Sequence, residues 1–383
     1  MQLDLFEAHD APPIKAPRAE SDDFPVIHIT RAGTTDSALC QSMTRDHRSA
    51  FPFVTRAGLS SIAERGGLHI ARIDGEAVGF VSFWARRDGW HTVHELCVRD
   101  GWQGVGVGRA LLYSVPTPIR LKCPADLEAS NRFYHGAGME RVGTEDAKRP
   151  LNIWEMRVLC IHCQGSNRSV PMWARRAGMA YGSRSVETPR AWPFMLDVDF
   201  KRLSGLEDWR RQYLPKVVRY RPVMAMALDY ASPAQKADML HMVDDLRALG
   251  VLRVVVTPKF AGAVTDIPPD CIVGISVPSS YEGYIPETTE LVGRKTHLLG
   301  GSPLRQSPLI SQIIGAGGVV LSADYNVHER NAQNGRYFQA GQWLPRATIA
   351  QPTRYYDEMI PYSGANIRKH LNTAAQFSIG RLL

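Results

Sequence analysis

Six apolar segments in the second half of the chain constrain its fold more than any other feature. They are FMLDVDF (194–200), VMAMALDY (223–230), LRVVVTPKF (252–260), CIVGISVP (271–278), THLLGGSP (296–303) and GGVVLSADYN (317–326). Strands this apolar are buried on both faces, the condition of a parallel sheet covered by helices. The connector at 232–250 supplies the helical part of one such unit. There Met239, Leu240, Met242, Val243, Leu246 and Leu249 form one stripe, with Ser232 placed as N-cap and Gly250 as stop. The length suits a TIM-type (β/α) barrel, irregular because six strands are recognisable rather than the eight such a barrel needs.

The first half reads differently. LHIARID (68–74) and AVGFVSFWA (77–85) flank a Gly75-Glu76 turn and predict a hairpin. WHTVHELCV (90–98), IRLKC (119–123) and NIWEMRVL (152–159) read as further strands, ALLYSV (110–115) and DLEASNRFYHGAG (126–138) as helices. The expected organisation is α/β throughout: a tail at 1–24 broken by Pro12, Pro13 and Pro17, a mixed and mostly antiparallel domain at 25–158, a junction at 159–193, and the barrel domain at 194–383.

With 44% apolar and 22% charged residues, neither disorder nor a coiled coil fits. No apolar run approaches the length of a membrane span, and the start, MQLDLFEAHDAPPIK, has no secretory pattern. Together with six cysteines, this leads us to expect reduced thiols in a cytoplasm and no membrane partner. The net charge of +7 permits a phosphate-rich partner. Arg175, Arg176, Arg184, Arg190, Lys201, Arg202, Arg210, Arg211, Lys216, Arg219 and Arg221 concentrate that charge. The run would suit a phosphate-tracking face as well as a solvated one, and DNA contact there is expected only with the site at Asp197, Asp229 and Asp324.

Gln103-Gly104-Val105-Gly106-Val107-Gly108-Arg109 follows a strand and opens a helix. Glycines let backbone N–H groups converge on an anion, and a helix N-terminus favours negative charge. In this context HELCVRDGWQGVGVGRALL (94–112) resembles the strand, loop and helix that hold the CoA pyrophosphate in GNAT acetyltransferases. ASNRFYHGAGM (129–139) resembles that family's second signature. The resemblance implies a GNAT fold and acetyl-CoA as cofactor. It places Val98, Gln103, Gly104, Val105, Gly106, Gly108, Arg109 and Asn131 along the CoA. By the same resemblance Tyr134 protonates the leaving thiolate and Glu95 is the general base. On residue chemistry alone, Tyr134 also fits a core position and Glu95 an ordinary polar strand position.

Asp197, Asp229 and Asp324 end three of the apolar segments. Barrel enzymes place their chemistry at strand carboxyl ends, so these side chains can meet although they are distant in sequence. Each can instead cap the helix after its strand. The stretches THLLGGSPLRQ (296–306) and GGVVLSADYNVHERNAQNGRYF (317–338) resemble the closing part of the tRNA-guanine transglycosylases. The layout is more similar still to the DNA-acting branch, which exchanges guanine in DNA for a 7-deazaguanine. That resemblance implies Asp324 as nucleophile, Asp197 as general acid/base, Asp229 as reader of the base, and Gly300 and Gly301 as points of close approach, with Asp199 a rival to Asp197. The zinc cysteines of the tRNA enzymes are missing, since no cysteine follows Cys271. Cys160-Ile161-His162-Cys163 has no second ligand pair at zinc-finger spacing, so reduced structural thiols and no metal are expected.

Three functions follow as candidates: a fused acetyl-CoA-dependent acyltransferase and DNA-base transglycosylase, an acetyltransferase of a small-molecule or protein amine with a non-catalytic barrel, and a DNA-binding adaptor.

Overall fold

The computed structural model describes residues 24–379 apart from 49, 52, 164–166, 200, 279–283 and 346–354. The expected tail at 1–24 lies outside the described residues but for Phe24, whose ring stacks on Tyr220.

Seven strands form the first sheet: β1 (His28–Arg31), β2 (Leu68–Ile73), β3 (Glu76–Ala85), β4 (His91–Val98), β5 (Ile119–Pro124), β6 (Glu140–Glu145) and β7 (Leu151–Met156), in the order β1-β2-β3-β4-β5-β7-β6. Helices α1 (Ser37–Met43), α2 (Arg56–Glu64), α3 (Val107–Ser114) and α4 (Glu128–Gly136) complete the domain. The β2–β3 hairpin turns at Asp74 and Gly75, both with positive φ, as a tight Asp-Gly turn requires. Every pairing is antiparallel except β4 with β5, which register only through His91 with Ile119 and Thr92 with Arg120. Beyond those two residues the strands separate. The N-terminus of α3, which follows β4, stands at the opening.

The second domain is a closed barrel of eight parallel strands: β8 (Leu159–Cys163), β9 (Ala180–Arg184), β10 (Met195–Asp197), β11 (Met224–Met226), β12 (Arg253–Val256), β13 (Ile272–Ser276), β14 (Lys295–Leu299) and β15 (Val319–Tyr325). All six predicted strands are present. Helices α5 (Val170–Ala177), α6 (Leu206–Gln212), α7 (Leu214–Tyr220), α8 (Lys236–Ala248) and α9 (Pro303–Gly315) fill four of the connections, and α10 (Val327–Gln333) follows β15. In α8, Met239, Met242, Val243 and Leu246 are buried, and Gly250 ends the helix with φ +79°. The hairpin β16 (Arg336–Gln339) and β17 (Gln342–Pro345) leads to α11 (Tyr355–Ile379), which packs on both α9 and α5 across the β15–β8 seam.

The expected junction at 159–193 is corrected: the barrel begins at Leu159, and that segment supplies β8, α5 and β9. Two local features hid these strands. His162 is wholly buried, which is tolerable because Glu329 of α10 bonds its Nε2 at 2.5 Å and His328 its Nδ1 at 3.3 Å. In β9, Gly182 is where the strand passes Ile161 and Met195. A Cβ there would meet Ile161 Cγ2 at 3.0 Å, so the packing favours a residue without β-propensity.

The two domains share one hydrophobic core. Arg253, at the start of β12, donates to the Val115 carbonyl at 2.8 Å, and Thr117 donates to Leu321 O at 2.5 Å. Asn372 of α11 accepts from the Arg157 and Val158 N–H groups between β7 and β8. The first domain thus docks where the barrel strands begin. Gly138 and Gly178 form the tightest point of this seam, because a Cβ on Gly138 would lie 2.1 Å from Gly178 O, and both residues have positive φ. Gly138→Ala is expected to destabilise the protein by about 3 kcal/mol or more through overpacking and strain. Urea unfolding followed by tryptophan fluorescence measures it.

Candidate active sites at the two ends of the barrel

A cavity of about 650 Å³ lies beside the β4–β5 opening. Gln103, Gly104, Val105, Gly106, Gly108 and Arg109 line it, as do Val98 and Tyr134. Gly104 and Gly106 have φ of +84° and +107°, and no side chain caps α3. Its first-turn N–H groups are therefore left for an anion. At Gly108 a Cβ would meet Phe133 Cε2 at 3.1 Å, so the loop and α4 approach closely because a glycine stands there. This backbone cradle fits a pyrophosphate.

Arg109 borders the cavity, but its guanidinium turns to the domain seam and donates to Arg175 O at 2.9 Å and Gly136 O at 2.5 Å. Asn131 stands apart from the cavity wall. Its amide donates to Pro124 O at 2.8 Å and Leu127 O at 2.9 Å, and its oxygen accepts from Asn152 and Trp154, both at 3.0 Å. Tyr134 packs against Phe133 and Trp154, and burial raises its phenol well above the usual value, so it keeps its proton. Glu95 lies on β4 just past a bulge at His94 and accepts a hydrogen bond from the Ser82 hydroxyl. Strand alternation sets Glu95 with Cys97, which contacts Met43 O, and opposite the cavity-lining Leu96 and Val98.

Sequence reasoning missed the far wall of this cavity, which belongs to the barrel domain: Met172 and Arg175 of α5, Tyr181 of β9, and Trp192 and Phe194 before β10. Only the docking of the two domains brings these residues to the loop.

The second cluster lies at the opposite end, where the barrel strands finish. Asp197 is the last residue of β10, Asp324 the penultimate residue of β15, and Asp229 follows β11. They are close enough for the charges of Asp324 and Asp229 to act on Asp197. None is a helix cap, since Gly205, Ser232 and Asn326 hold those positions. Burial first, then Asp324 and Asp229, push the Asp197 carboxyl up to about 8, against the Val198 N–H and Arg184. The native protein therefore holds a proton on Asp197 that the unfolded chain, with its ordinary value of 3.8, gives up. Stability contributed by that proton is present in acid and is lost as pH rises toward 8. Asp197→Asn removes this cost and is expected to stabilise the fold at pH 7 by on the order of 3 kcal/mol, shrinking toward pH 4. Urea melts at the two pH values check it.

Asp324 Oδ1 accepts from the Gly300 N–H at 3.1 Å and lies 3.4 Å from His297 Nε2, while Ser322 holds the other ring nitrogen at 2.8 Å. Asp229 pairs with Lys259 at 3.2 Å, and burial still raises its carboxyl. Lys259 and His297 were missed as site residues: Lys259 follows β12 as the aspartates follow or end their strands, whereas His297 lies in the middle of β14 and carries no strand-end signal. Gly300 and Gly301 both have positive φ. A Cβ on Gly300 would face open space, whereas one on Gly301 would meet Val277 Cγ1 at 2.5 Å. Asp199 instead accepts from the Lys201 N–H at 3.1 Å and pairs with Arg202 at 3.6 Å, apart from the three aspartates.

Cys160 and Cys163 fall on opposite faces of β8 by strand alternation. Cys160 bonds Tyr325, while Cys163 feels Asp197 and Asp324. All six cysteines are buried and free, and among the described residues no cluster of three or more His, Cys, Asp or Glu is arranged to hold a metal. No described helix is long and apolar enough to cross a membrane.

The expectation of a continuous basic face is also corrected. Arg184 pairs with Glu187, Arg202 with Asp199, Arg210 with Asp245 and Arg211 with Asp208. Arg221 bonds Leu249 O near the strand beginnings, at the end away from the aspartates. The winding of the chain around the barrel spreads this charge over both ends.

The acetyltransferase (GNAT) family matches residues 37–138, and the first domain is a GNAT acetyltransferase domain. Solved structures similar to it include Ard1 from Thermoplasma volcanium, 16% identical over 35% of this chain and 99% of that one, with a TM-score of 0.32. Diaminobutyrate acetyltransferase EctA from Paenibacillus lautus, determined with its substrate and coenzyme A, is 15% identical over 34% of this chain and 95% of its own, with a TM-score of 0.30. A GNAT-family acetyltransferase from Bacillus cereus is 17% identical over 34% and 96%, with a TM-score of 0.28. No curated protein sequence matches the chain. The remaining match, to residues 174–372, spans more than half of the chain and takes in most of the barrel, so the protein belongs to the family of unknown function DUF6610.

Proposed function

We propose that this chain is a bifunctional transferase: an acetyl-CoA-dependent N-acyltransferase joined to a barrel that exchanges guanine in DNA for a 7-deazaguanine. It would work in the reducing cytoplasm of a bacterium or of its phage-infected state. The observation that carries the barrel reading is the placement of Asp197, Asp324 and Asp229 at or just past the finishing ends of β10, β15 and β11, near enough for the last two to raise the Asp197 carboxyl.

In the first domain the α3 N-terminus and the glycine loop hold the pyrophosphate, and the thioester supplies the activated acyl group. Tyr134, on the cavity wall, gives its proton to the departing thiolate; Glu95 faces away from the cavity, so the incoming amine gives up its proton to water. In the barrel, an Asp324 oxygen bonds to C1′ of the deoxyribose as the bond from C1′ to N9 of guanine breaks. Asp197 delivers its proton to the departing base. The 7-deazaguanine then attacks C1′, releasing Asp324 and returning a proton to Asp197. Asp229, fixed by Lys259, accepts hydrogen bonds from the amidine edge of the base. The target nucleotide leaves the stack to reach this cup.

The two clusters face opposite ends of the barrel, so the two reactions use separately bound substrates. Incubating DNA with a 7-deazaguanine, with and without acetyl-CoA, and digesting it to nucleosides for mass spectrometry tests the scheme. A deazaguanine deoxynucleoside is expected, and unchanged DNA overturns the barrel half. The alternative, an acetyltransferase with a non-catalytic barrel, is favoured by the pairing of Arg184, Arg202, Arg210 and Arg211 with acids, which reduces the free cationic charge offered to DNA.

A further inference from the structure

The wall of the cofactor cavity contributed by the barrel carries a cation that no acyltransferase element supplies. We propose that Arg175, on barrel helix α5, binds the phosphate groups of the acyl-CoA donor, so that both domains grip the donor at once. The inference rests on the acyl-CoA reading of the first domain.

Four observations support it. Arg109, the arginine of the phosphate loop, has its guanidinium on the carbonyls of Arg175 and Gly136 and serves as a clasp between the domains. That bond fixes Arg175 beside the loop, and Arg175 lines the same cavity as Gly104, Gly106 and Gly108. Its side chain is exposed, and among the described residues no carboxylate pairs with it, whereas the neighbouring Arg176 is engaged by the Asp357 carbonyl at 2.9 Å. Partial burial and the charge of Arg109 both lower its pKa, the mark of two cations held together without a counter-ion. An anion bound between them relieves that repulsion, and a guanidinium fork matches phosphate oxygens.

The support beneath Arg175 is rigid, because Trp173 donates to Asp357 Oδ1 of α11 at 2.9 Å. Further along this wall the indole N–H of Trp192 is buried without an acceptor.

Titration calorimetry on the full chain, at low and high salt, tests the proposal with CoA, dephospho-CoA and pantetheine. Arg175→Gln is expected to weaken CoA about tenfold, with a shallower salt dependence, and to leave pantetheine unchanged. Arg168→Gln removes one charge from an exposed residue outside the cavity wall and is expected to bind CoA like the parent. If the loss persists with dephospho-CoA, Arg175 engages the pyrophosphate; if it disappears, the 3′-phosphate is the partner. Equal CoA affinity in Arg175→Gln and parent overturns the proposal, as does an equal loss for pantetheine. A parent protein that binds no CoA overturns the acyl-CoA reading and this inference with it.

Discussion

Asp324→Ala is expected to lower base exchange by about a thousandfold or more while acyl transfer continues at the parent rate. The first effect follows because no other carboxylate can take over at C1′: Asp197 is kept protonated, and Asp229 is tied to Lys259. The second follows from the placement of the sites. Asp324 sits at the finishing end of β15, whereas the acyltransferase domain touches that strand at Leu321 and the barrel elsewhere at strand beginnings. Counting deazaguanine nucleosides and released thiol in the same preparation reads both. A variant with undiminished base exchange refutes Asp324 as nucleophile, whereas a parent protein with acyl transfer and no base exchange leaves the acetyltransferase with a non-catalytic barrel. Removing the Asp324 charge also relieves part of the upward push on Asp197, so the pH at which Asp197 titrates is expected to fall in this variant.

Tyr134→Phe is expected to cut acyl-transfer turnover about a hundredfold with little change in CoA affinity. The phenol keeps its proton because its half-buried surroundings disfavour the phenolate, and it lines the cavity wall, where a departing thiolate can take that proton. Phenylalanine preserves the packing on Phe133 and Trp154, so a loss confined to turnover identifies a proton donor rather than a packing residue. Stopped-time thiol release and calorimetry separate the two quantities. A fall in affinity with turnover unchanged assigns Tyr134 to the wall alone.

Several site residues were legible because their roles are local. The glycines at 104, 106 and 108 announce a left-handed, close-packed loop, and its place between a strand and a helix is visible in the alternation of HELCV and the apolar run after Gly108. The three aspartates were legible for a related reason: a carboxylate closing an apolar strand stands at the strand's finishing end in any parallel barrel. Lys259 obeys the same rule and went unnoticed because a lysine after a strand reads as an ordinary solvated residue until Asp229 lies 3.2 Å away.

What escaped the sequence depended on partners brought from afar. His162 and Gly182 argue against strands where they stand. Glu329 reverses that argument for the first residue, and the crowding by Ile161 and Met195 reverses it for the second. The basic residues at 175–221 look like one face in a linear chain, yet winding around a barrel scatters them, and nearby acids pair with four of them, Arg184, Arg202, Arg210 and Arg211.

Sequence alone determined the two domain types, the phosphate loop and the acids at the strand ends, because each is written in short-range pattern: glycine positions, apolar period and strand termini. Tertiary structure alone decided that the barrel has eight strands, that its first domain docks at the opposite end from the aspartates, and that Arg175 and Trp192 complete a cavity begun by residues some seventy positions earlier. Those outcomes come from side-chain burial between distant segments, which no local pattern encodes.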